Sequence, residues 1–411
     1  MEIAQLLERA QSVKTHALTL TAAQKNEILC EMADTLLENA QRIMTANEQD
    51  MQKAKSQISE TMLDRLMLNL SRIEGMAQGL RALTLLEDPI GQELSHVQRP
   101  NGLVIRRVRV PMGVVAVIYE SRPNVTSDAA GLCLKSGNVC VLRGGREALA
   151  TNREIVKALH AALERTGHPC ELVQLVEDTG REGAAALMQA RGKVDLLIPR
   201  GGKGLIQACV EQAKVPCIET GTGICHIYVD EAADLSMALE IVDNAKTSRP
   251  SVCNAAEVCL VHASCAEAFL PMLKERMELK RTELRLCPRA AKIIEGTTAG
   301  PQDFDTEFLD YVLAVKVVED LPEALAHIRS HSTGHSEAIV TSNEQTAQRF
   351  MDGVDSAAVY VNASTRFTDG GEFGLGCEMG ISTQKLGARG PMGLCELTSY
   401  QYRILGSGQV R

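Results

Sequence analysis

The stretch S248-R-P-S-V-C-N-A-A-E-V-C259 puts Cys253 after Arg249 and Pro250 and before Asn254, in a polar, proline-broken setting. A cysteine attacks a carbonyl as its thiolate, which needs solvent access and a depressed pKa. The chain has 13 cysteines, and most, such as Cys133, Cys140, Cys209 and Cys259, stand singly inside apolar runs. There they read as small core residues. Cys253 reads as a loop residue. If its loop opens into a helix, backbone N–H groups would face a thiolate and later an oxyanion. A lone loop cysteine with a structural role fits the same stretch. No C-x-x-C pair or framework spacing occurs, so reduced thiols are expected and no metal site is. Cys225-His226 lacks a second ligand pair and reads as a strand entering the core.

Two strand ends have the residues to meet phosphate. One runs from Asp195 to Ile198, through Pro199, into R200-G-G-K-G204 and then a helix. Backbone N–H groups of Gly201 and Gly202 and the charge of Lys203 suit an anion at that helix start. It matches neither a Walker sequence nor G-x-G-x-x-G, and glycines also serve simply to make room. The other is V139-C-V-L-R-G-G-R-E147, a strand ending in Arg143, Gly144, Gly145 and Arg146. Parallel sheets bind ligands at the carboxyl ends of their strands. A solvated loop is the equal alternative.

These residues need a scaffold, and 411 residues suffice for two or three domains with a large core. Hydrophobic residues make up 45% and charged ones 23%, as in ordinary globular proteins. Aromatics are only 3%, without tryptophan, which argues against stacking platforms for nucleic acid. The 43 basic and 52 acidic residues give a net charge of −9, which disfavours nucleic acid and anionic membranes. No apolar run is long enough to span a membrane. The start M-E-I-A-Q-L-L-E-R-A lacks the basic and apolar regions of a signal peptide, so a cytoplasmic location is expected.

Residues 1–88 carry apolar positions at helical spacing, as in Ile28, Met32, Leu36 and Leu63, Leu66, Leu70. A Pro-Asn-Gly turn signal inside 91–110 and the alternation of Arg107, Val108, Arg109 and Val110 predict a β-hairpin. Strands are then expected at 113–119, 138–143, 171–176, 193–198, 215–219 and 226–230, with helices at 125–136, 147–166, 181–191 and 203–214. Further strands are expected near 256–262, 312–318, 336–341 and 357–361, and a last one over 396–405. Short β-branched runs alternating with helices imply α/β parallel sheets covered on both faces.

Taken together, these stretches resemble the aldehyde dehydrogenase superfamily along nearly the whole chain. V110-P-M-G-V-V-A-V-I-Y-E-S-R-P-N124 is similar to its strand leading to an oxyanion asparagine. I218-E-T-G-T-G223 is similar to its glutamate–glycine motif, and Cys253 follows Glu219 by 34 residues, near the family's interval to the nucleophile. E307-F-L-D-Y-V-L313 resembles the segment whose glutamate holds the nicotinamide ribose. V318-E-D-L-P-E-A-L-A-H-I-R-S-H-S-T-G-H-S-E-A-I339 and G380-I-S-T-Q-K-L-G-A-R-G-P-M-G393 resemble a branch that reduces an acyl phosphate.

The resemblance implies two doubly wound parallel-sheet domains plus a small protruding β-sheet for oligomerisation. It implies a cofactor domain over 1–90 and 111–248, a catalytic domain over 249–390, and an oligomerisation sheet from 91–110 and 391–411. The implied reaction is NADPH-dependent reduction of L-glutamyl 5-phosphate to L-glutamate 5-semialdehyde and phosphate. Cys253 is the implied nucleophile, Asn124 an oxyanion donor, and Glu219 a residue that either tunes Cys253 or stands by. Many NAD-binding members carry a lysine and a later glutamate where this chain has Arg143 and Arg146. Arginine suits a 2′-phosphate, so NADP(H) is expected, with Gly144, Gly145, Gly201, Gly202, Lys203 and Glu307 also at the cofactor. Arg122, Arg249, Lys385 and Arg389 are candidate anion holders. His331 and His335 are candidate substrate donors, or else pack and cap a loop. The implied partners are a second copy or three in a homodimer or homotetramer, and glutamate 5-kinase in a functional contact that passes on a labile product. Rival readings are another acylating or hydrolytic aldehyde dehydrogenase and an inert nucleotide-binding scaffold.

Overall fold

The computed structural model describes residues 2–58 and 60–411, without the side chains of Glu60, Thr61 and Lys203. The chain divides into two units. One comprises Met1–Thr220, Gly374–Gly380 and Met392–Arg411; the other comprises Gly221–Phe373 and Ile381–Pro391. No helix among the described residues is long and apolar enough to cross a membrane.

In the first unit the helical periodicity near the start is realised. Ile28, Leu29, Met32, Ala33 and Leu36 form a fully buried stripe on Ala22–Glu38. Thr21 and Gln24 close that helix's start with a capping box. The sheet beside the helices is wholly parallel, in the order Val173–Leu175, Val139–Arg143, Val114–Tyr119, Leu196–Arg200. Every residue of Val114–Tyr119 and Val139–Arg143 is buried, which explains their unbroken apolar runs. The expected strand at 215–219 reduces to a single bridge, Leu197 to Cys217. Pro216 has no N–H to extend a ladder.

The hairpin forms as expected, from Glu93–Gln98 and Val104–Pro111. The tail strand Thr398–Leu405 pairs antiparallel with Val104–Pro111 over its full length, giving a three-stranded sheet. Tyr400, Tyr402, Ile404 and Leu405 lie exposed on it.

The second unit is built on seven parallel strands, ordered Thr297–Thr298, Glu283–Leu286, Val312–Val318, Ala256–His262, Cys225–Val229, Ser336–Val340, Ala358–Val361. Successive residues face opposite layers. Ile227, Cys259, Val261 and Val315 pack with Phe269 and Leu273 of Ala263–Leu279. Tyr228, Val258, Leu260 and Ile339 pack with Ala324 and Ile328 of Leu321–His331 and with Phe350 of Glu344–Gly353. The resemblance implies a boundary at 248/249. In the structure the units part at Thr220/Gly221, because Cys225–Val229 hydrogen-bonds to Ala256–His262 and Ser336–Val340. The strand Glu283–Leu286 was not anticipated.

Candidate active site

Cys253 lies in a turn between the helix Leu235–Thr247 and the strand Ala256–His262, and it is partly accessible. Its loop therefore opens into a strand and not the helix that the sequence suggested. Seven other cysteines are buried, Cys225, Cys259 and Cys265 among them. Burial pushes the Cys209 and Cys265 thiols up to about 11, and those of Cys140, Cys225 and Cys259 upward as well. A thiol held neutral in this way is inert.

The turn is fixed from several sides. A Cβ on Gly223 would collide with the Cys253 carbonyl, so the chain passes there only as glycine. The Cys225 thiol donates to that carbonyl at 3.2 Å. Asn254, buried, donates from Nδ2 to the Thr368 carbonyl at 2.9 Å and to the Arg366 carbonyl at 3.3 Å. The Thr365 hydroxyl donates to the Asn254 carbonyl at 2.7 Å, and Arg366 Nη1 donates to Asn254 Oδ1. Thr365, Arg366 and Thr368 lie more than a hundred residues from Asn254 in the chain, and no local motif marks them.

Glu307 accepts from the Gly223 N–H at 2.7 Å. Two residues on, Leu309 adopts a left-handed φ of 55°. Its N–H donates to Glu257 Oε1 at 3.2 Å, and the other oxygen of Glu257 pairs with Lys246 at 2.5 Å. Both partners of this ion pair are fully buried. Burial raises Glu257 to about 7, against the lowering pull of Lys246, and burial lowers Lys246. Glu257 thus ties the strand after Cys253 to the helix before it through Lys246, and to the loop that carries Glu307 through Leu309.

The remaining residues expected in this unit divide. His335 is buried, with Nδ1 2.8 Å from the Ser336 hydroxyl and 3.7 Å from the Cys225 sulfur, one step behind the Cys253 carbonyl. His331 turns to Asp305 at 2.7 Å, its ring tilted against that of His327 with centroids 4.3 Å apart. Lys385 and Arg389 converge on Asp355, the latter at 2.7 Å. Arg249 is exposed near Arg366. Cys225 and His226 do begin a buried strand, as expected.

In the first unit, Asn124 opens the helix Asn124–Lys135 beyond the strand Val114–Tyr119. Its Nδ2 donates to Asp128 at 2.9 Å, and the amide keeps a second N–H. Ser121 is held at a left-handed φ of 42° by Glu147, which accepts from its N–H at 2.7 Å and its hydroxyl at 2.8 Å. Arg122 and Glu219 are half-buried. The two arginines of the 143–146 turn differ. Arg143 is buried and donates to the carbonyls of Thr179 and Gly180, the latter at 2.8 Å. Arg146 is exposed, with one long bond of 3.4 Å to Gln57. Gly144 and Gly145 are buried between them, with Asn152 and Glu147 where a Cβ would stand. At the other glycine turn, the Gly202 N–H donates to the Glu120 carboxylate at 2.8 Å, and Glu120 also fills the space beside Gly201. A carboxylate thus occupies the helix start where the sequence suggested phosphate. Lys203 begins the helix Lys203–Gln212, but its side chain is outside the described residues.

The pattern of the Aldehyde dehydrogenase family matches residues 1–286. A gamma-glutamyl phosphate reductase of Streptococcus sanguinis is 60% identical over 413 residues, covering 99% of this chain and 98% of that protein. The crystal structure of a gamma-glutamyl phosphate reductase from Thermotoga maritima is 44% identical, covers 100% of both chains and has a TM-score of 0.96. An acetylating aldehyde dehydrogenase from Geobacillus thermoglucosidasius, at 18% identity and a TM-score of 0.75, shares the fold, covering 100% of this chain and 97% of its own. With a pattern spanning most of the chain and relatives matched along their full length, the chain belongs to the aldehyde dehydrogenase family and, within it, to the gamma-glutamyl phosphate reductases.

Proposed function

We propose that the protein reduces L-glutamyl 5-phosphate to L-glutamate 5-semialdehyde and phosphate through a thioester on Cys253, with NADPH as reductant. The product cyclises to 1-pyrroline-5-carboxylate, as in proline biosynthesis. The observation that carries this reading is the Cys253 turn: an accessible thiol whose backbone is clamped by Gly223, Cys225 and Asn254.

The Cys253 thiolate attacks the γ-carbonyl carbon. A C–S bond forms, the C–O bond to the phosphoryl oxygen breaks, and phosphate leaves with the electron pair. Splitting the reaction at a thioester replaces one difficult step by two easier ones. When bound, the reduced nicotinamide supplies a hydride to the thioester carbonyl. Collapse of the tetrahedral species on Cys253 returns the thiolate and releases the aldehyde. Charge builds on the carbonyl oxygen twice. We assign the Cys253 N–H and the Asn124 amide as its donors, each worth about 3 kcal/mol. Glu219 has no obligatory step, because activating water would waste the thioester.

NADP(H) is favoured over NAD(H) at Arg146. That side chain is exposed and nearly uncommitted, while the adjacent Glu147 is turned inward to Ser121. No repulsion from Glu147 then opposes a 2′-phosphate. Glu307 is assigned to the nicotinamide ribose, its orientation set by Gly223. Arg122, Arg249, Lys385 and Arg389 are assigned to substrate anions, the last two after release from Asp355. His335 is placed to steady the nucleophile turn through Cys225.

The exposed three-stranded sheet supports assembly into a homodimer or homotetramer, since a ribbon this exposed gains by burying its tyrosines and edges. A functional contact with glutamate 5-kinase would protect the labile acyl phosphate.

The test is NADPH formation from pyrroline-5-carboxylate. Turnover that requires inorganic phosphate is expected. Turnover that proceeds with coenzyme A or water in its place would refute the acyl-phosphate reading.

A further inference from the structure

Arg366 lies on the short turn Thr365–Phe367 of the second unit, 112 residues beyond Asn254 in sequence, yet it grips that residue twice. Its carbonyl accepts from Asn254 Nδ2 at 3.3 Å, and its Nη1 donates to Asn254 Oδ1. Its Nε donates to the Ser248 hydroxyl at 3.2 Å, at the end of the helix that leads into the nucleophile turn. The outer amino group, Nη2, has no hydrogen bond to any described residue. The guanidinium is therefore braced on two nitrogens and open on the third.

The charge on this group is unusual for its setting. The side chain is half-buried, and no carboxylate among the described residues forms an ion pair with it. Burial and the nearby Arg249 both hold its pKa below the ordinary value, while Asp369 and the Cys253 and Cys225 thiols pull the other way. Asp369 directs Oδ1 to the N–H groups of Gly371 and Glu372, at 2.9 and 3.4 Å. Two mutually repelling cations beside a nucleophile, one of them half-buried, leave an anion unaccounted for.

We propose that Arg366, assisted by Arg249, holds the phosphoryl group of the acyl phosphate beside Cys253. This rests on the reaction proposed above and names a residue for it. The phosphoryl group is the substrate anion bonded to the carbon that Cys253 attacks; the α-carboxylate lies further along the carbon chain. As the C–O bond breaks, negative charge grows on the departing oxygen, which takes its proton from water once free. A fixed guanidinium strengthens its hydrogen bonds as that charge grows. The bonds to Ser248 and Asn254 keep the fork from swinging away, so the residue that orients the nucleophile turn also receives the leaving group.

The experiment uses the full-length protein in the oxidative direction, with inorganic phosphate as the probe. R366Q is expected to raise KM for phosphate about 10- to 100-fold, the range for losing a charge-assisted hydrogen bond. KM for pyrroline-5-carboxylate and for NADP+ should stay near wild type. R249Q should raise KM for phosphate less, and R366K should recover part of the loss. If R366Q does not fold, R366K and R249Q carry the test. A lower kcat with unchanged KM for phosphate would mean that Arg366 only braces Asn254. A raised KM for pyrroline-5-carboxylate alone would put the carboxylate there instead. Either result overturns the proposal. If the wild-type protein shows no phosphate-dependent turnover, the proposed reaction fails first and this assignment goes with it.

Discussion

Two polar regions of this molecule are built in opposite ways. Around Cys253 the supporting groups are mostly buried and brace one another: Asn254 with Thr365, Thr368 and the half-buried Arg366, and Glu257 with Lys246 and Leu309. Around Arg146 the cation is exposed and holds one long bond. Bond-making needs reacting atoms placed to within fractions of an ångström, so its supports must be rigid. Recognition of a phosphate by charge tolerates a side chain that moves. Substitutions in the first region should therefore cost chemistry and stability together, whereas those in the second should cost affinity alone.

The largest effect is expected at the nucleophile itself. C253A should lower reductase turnover by about 10⁴-fold or more, as removal of a covalent catalyst does, while NADPH binding measured by fluorescence stays near wild type. Near-wild-type turnover would exclude the thioester.

Next in size is the buried pair beneath it. K246M leaves Glu257 without its partner, and about 3–5 kcal/mol of unfolding free energy should be lost. The double variant K246M/E257L should regain much of it in urea titration. The pair also fixes a pH dependence. Burial raises Glu257 to about 7 in the folded state, above its ordinary 4.5. The folded protein thus holds that proton more tightly than the unfolded chain does. The resulting stability is complete below pH 4.5 and is lost as the pH rises through about 7. E257Q should remove this slope from the urea midpoint; an unchanged slope would show that Glu257 does not titrate there.

A smaller effect is expected in the loosely held region. R146E should weaken NADPH binding by about 2–4 kcal/mol, because it removes an attraction and adds a repulsion. NADH binding should change little, and so should stability. Equal losses for the two cofactors would show that Arg146 does not read the 2′-phosphate. R143M should differ from R146E, costing stability through the carbonyls of Thr179 and Gly180.

The smallest change in folding free energy belongs to the exposed sheet. Y402S/I404S keeps the antiparallel register and should shift monomer stability by no more than roughly 0.5 kcal/mol. In sedimentation it should nonetheless dissociate the proposed oligomer. A double variant that sediments as the wild type does would place the interface elsewhere.

The local chain settled much of this protein. Unbroken β-branched runs such as V114-V-A-V-I-Y119 had to become strands buried on both faces, and they did. The Pro-Asn-Gly turn set the hairpin, and Pro250 and Asn254 marked Cys253 as a loop cysteine apart from the core thiols. Cys225 and His226, without a second ligand pair in the sequence, read as the start of a buried strand, and that strand formed. What it could not settle was partnership across long separations. Cys225–Val229 reads the same whichever sheet it joins, and only its hydrogen bonds to Ala256–His262 and Ser336–Val340 place it in the unit that carries Cys253. Arg143 and Arg146 look alike on the page; the strand's burial turns the first to backbone carbonyls and leaves the second in solvent. Arg366 carries no local mark at all, since its meaning lies in Ser248 and Asn254, more than a hundred residues away. Periodicity and turn chemistry act between neighbours in the chain and are written there. Pairing of buried charge acts between neighbours in space, and only the folded structure brings those together.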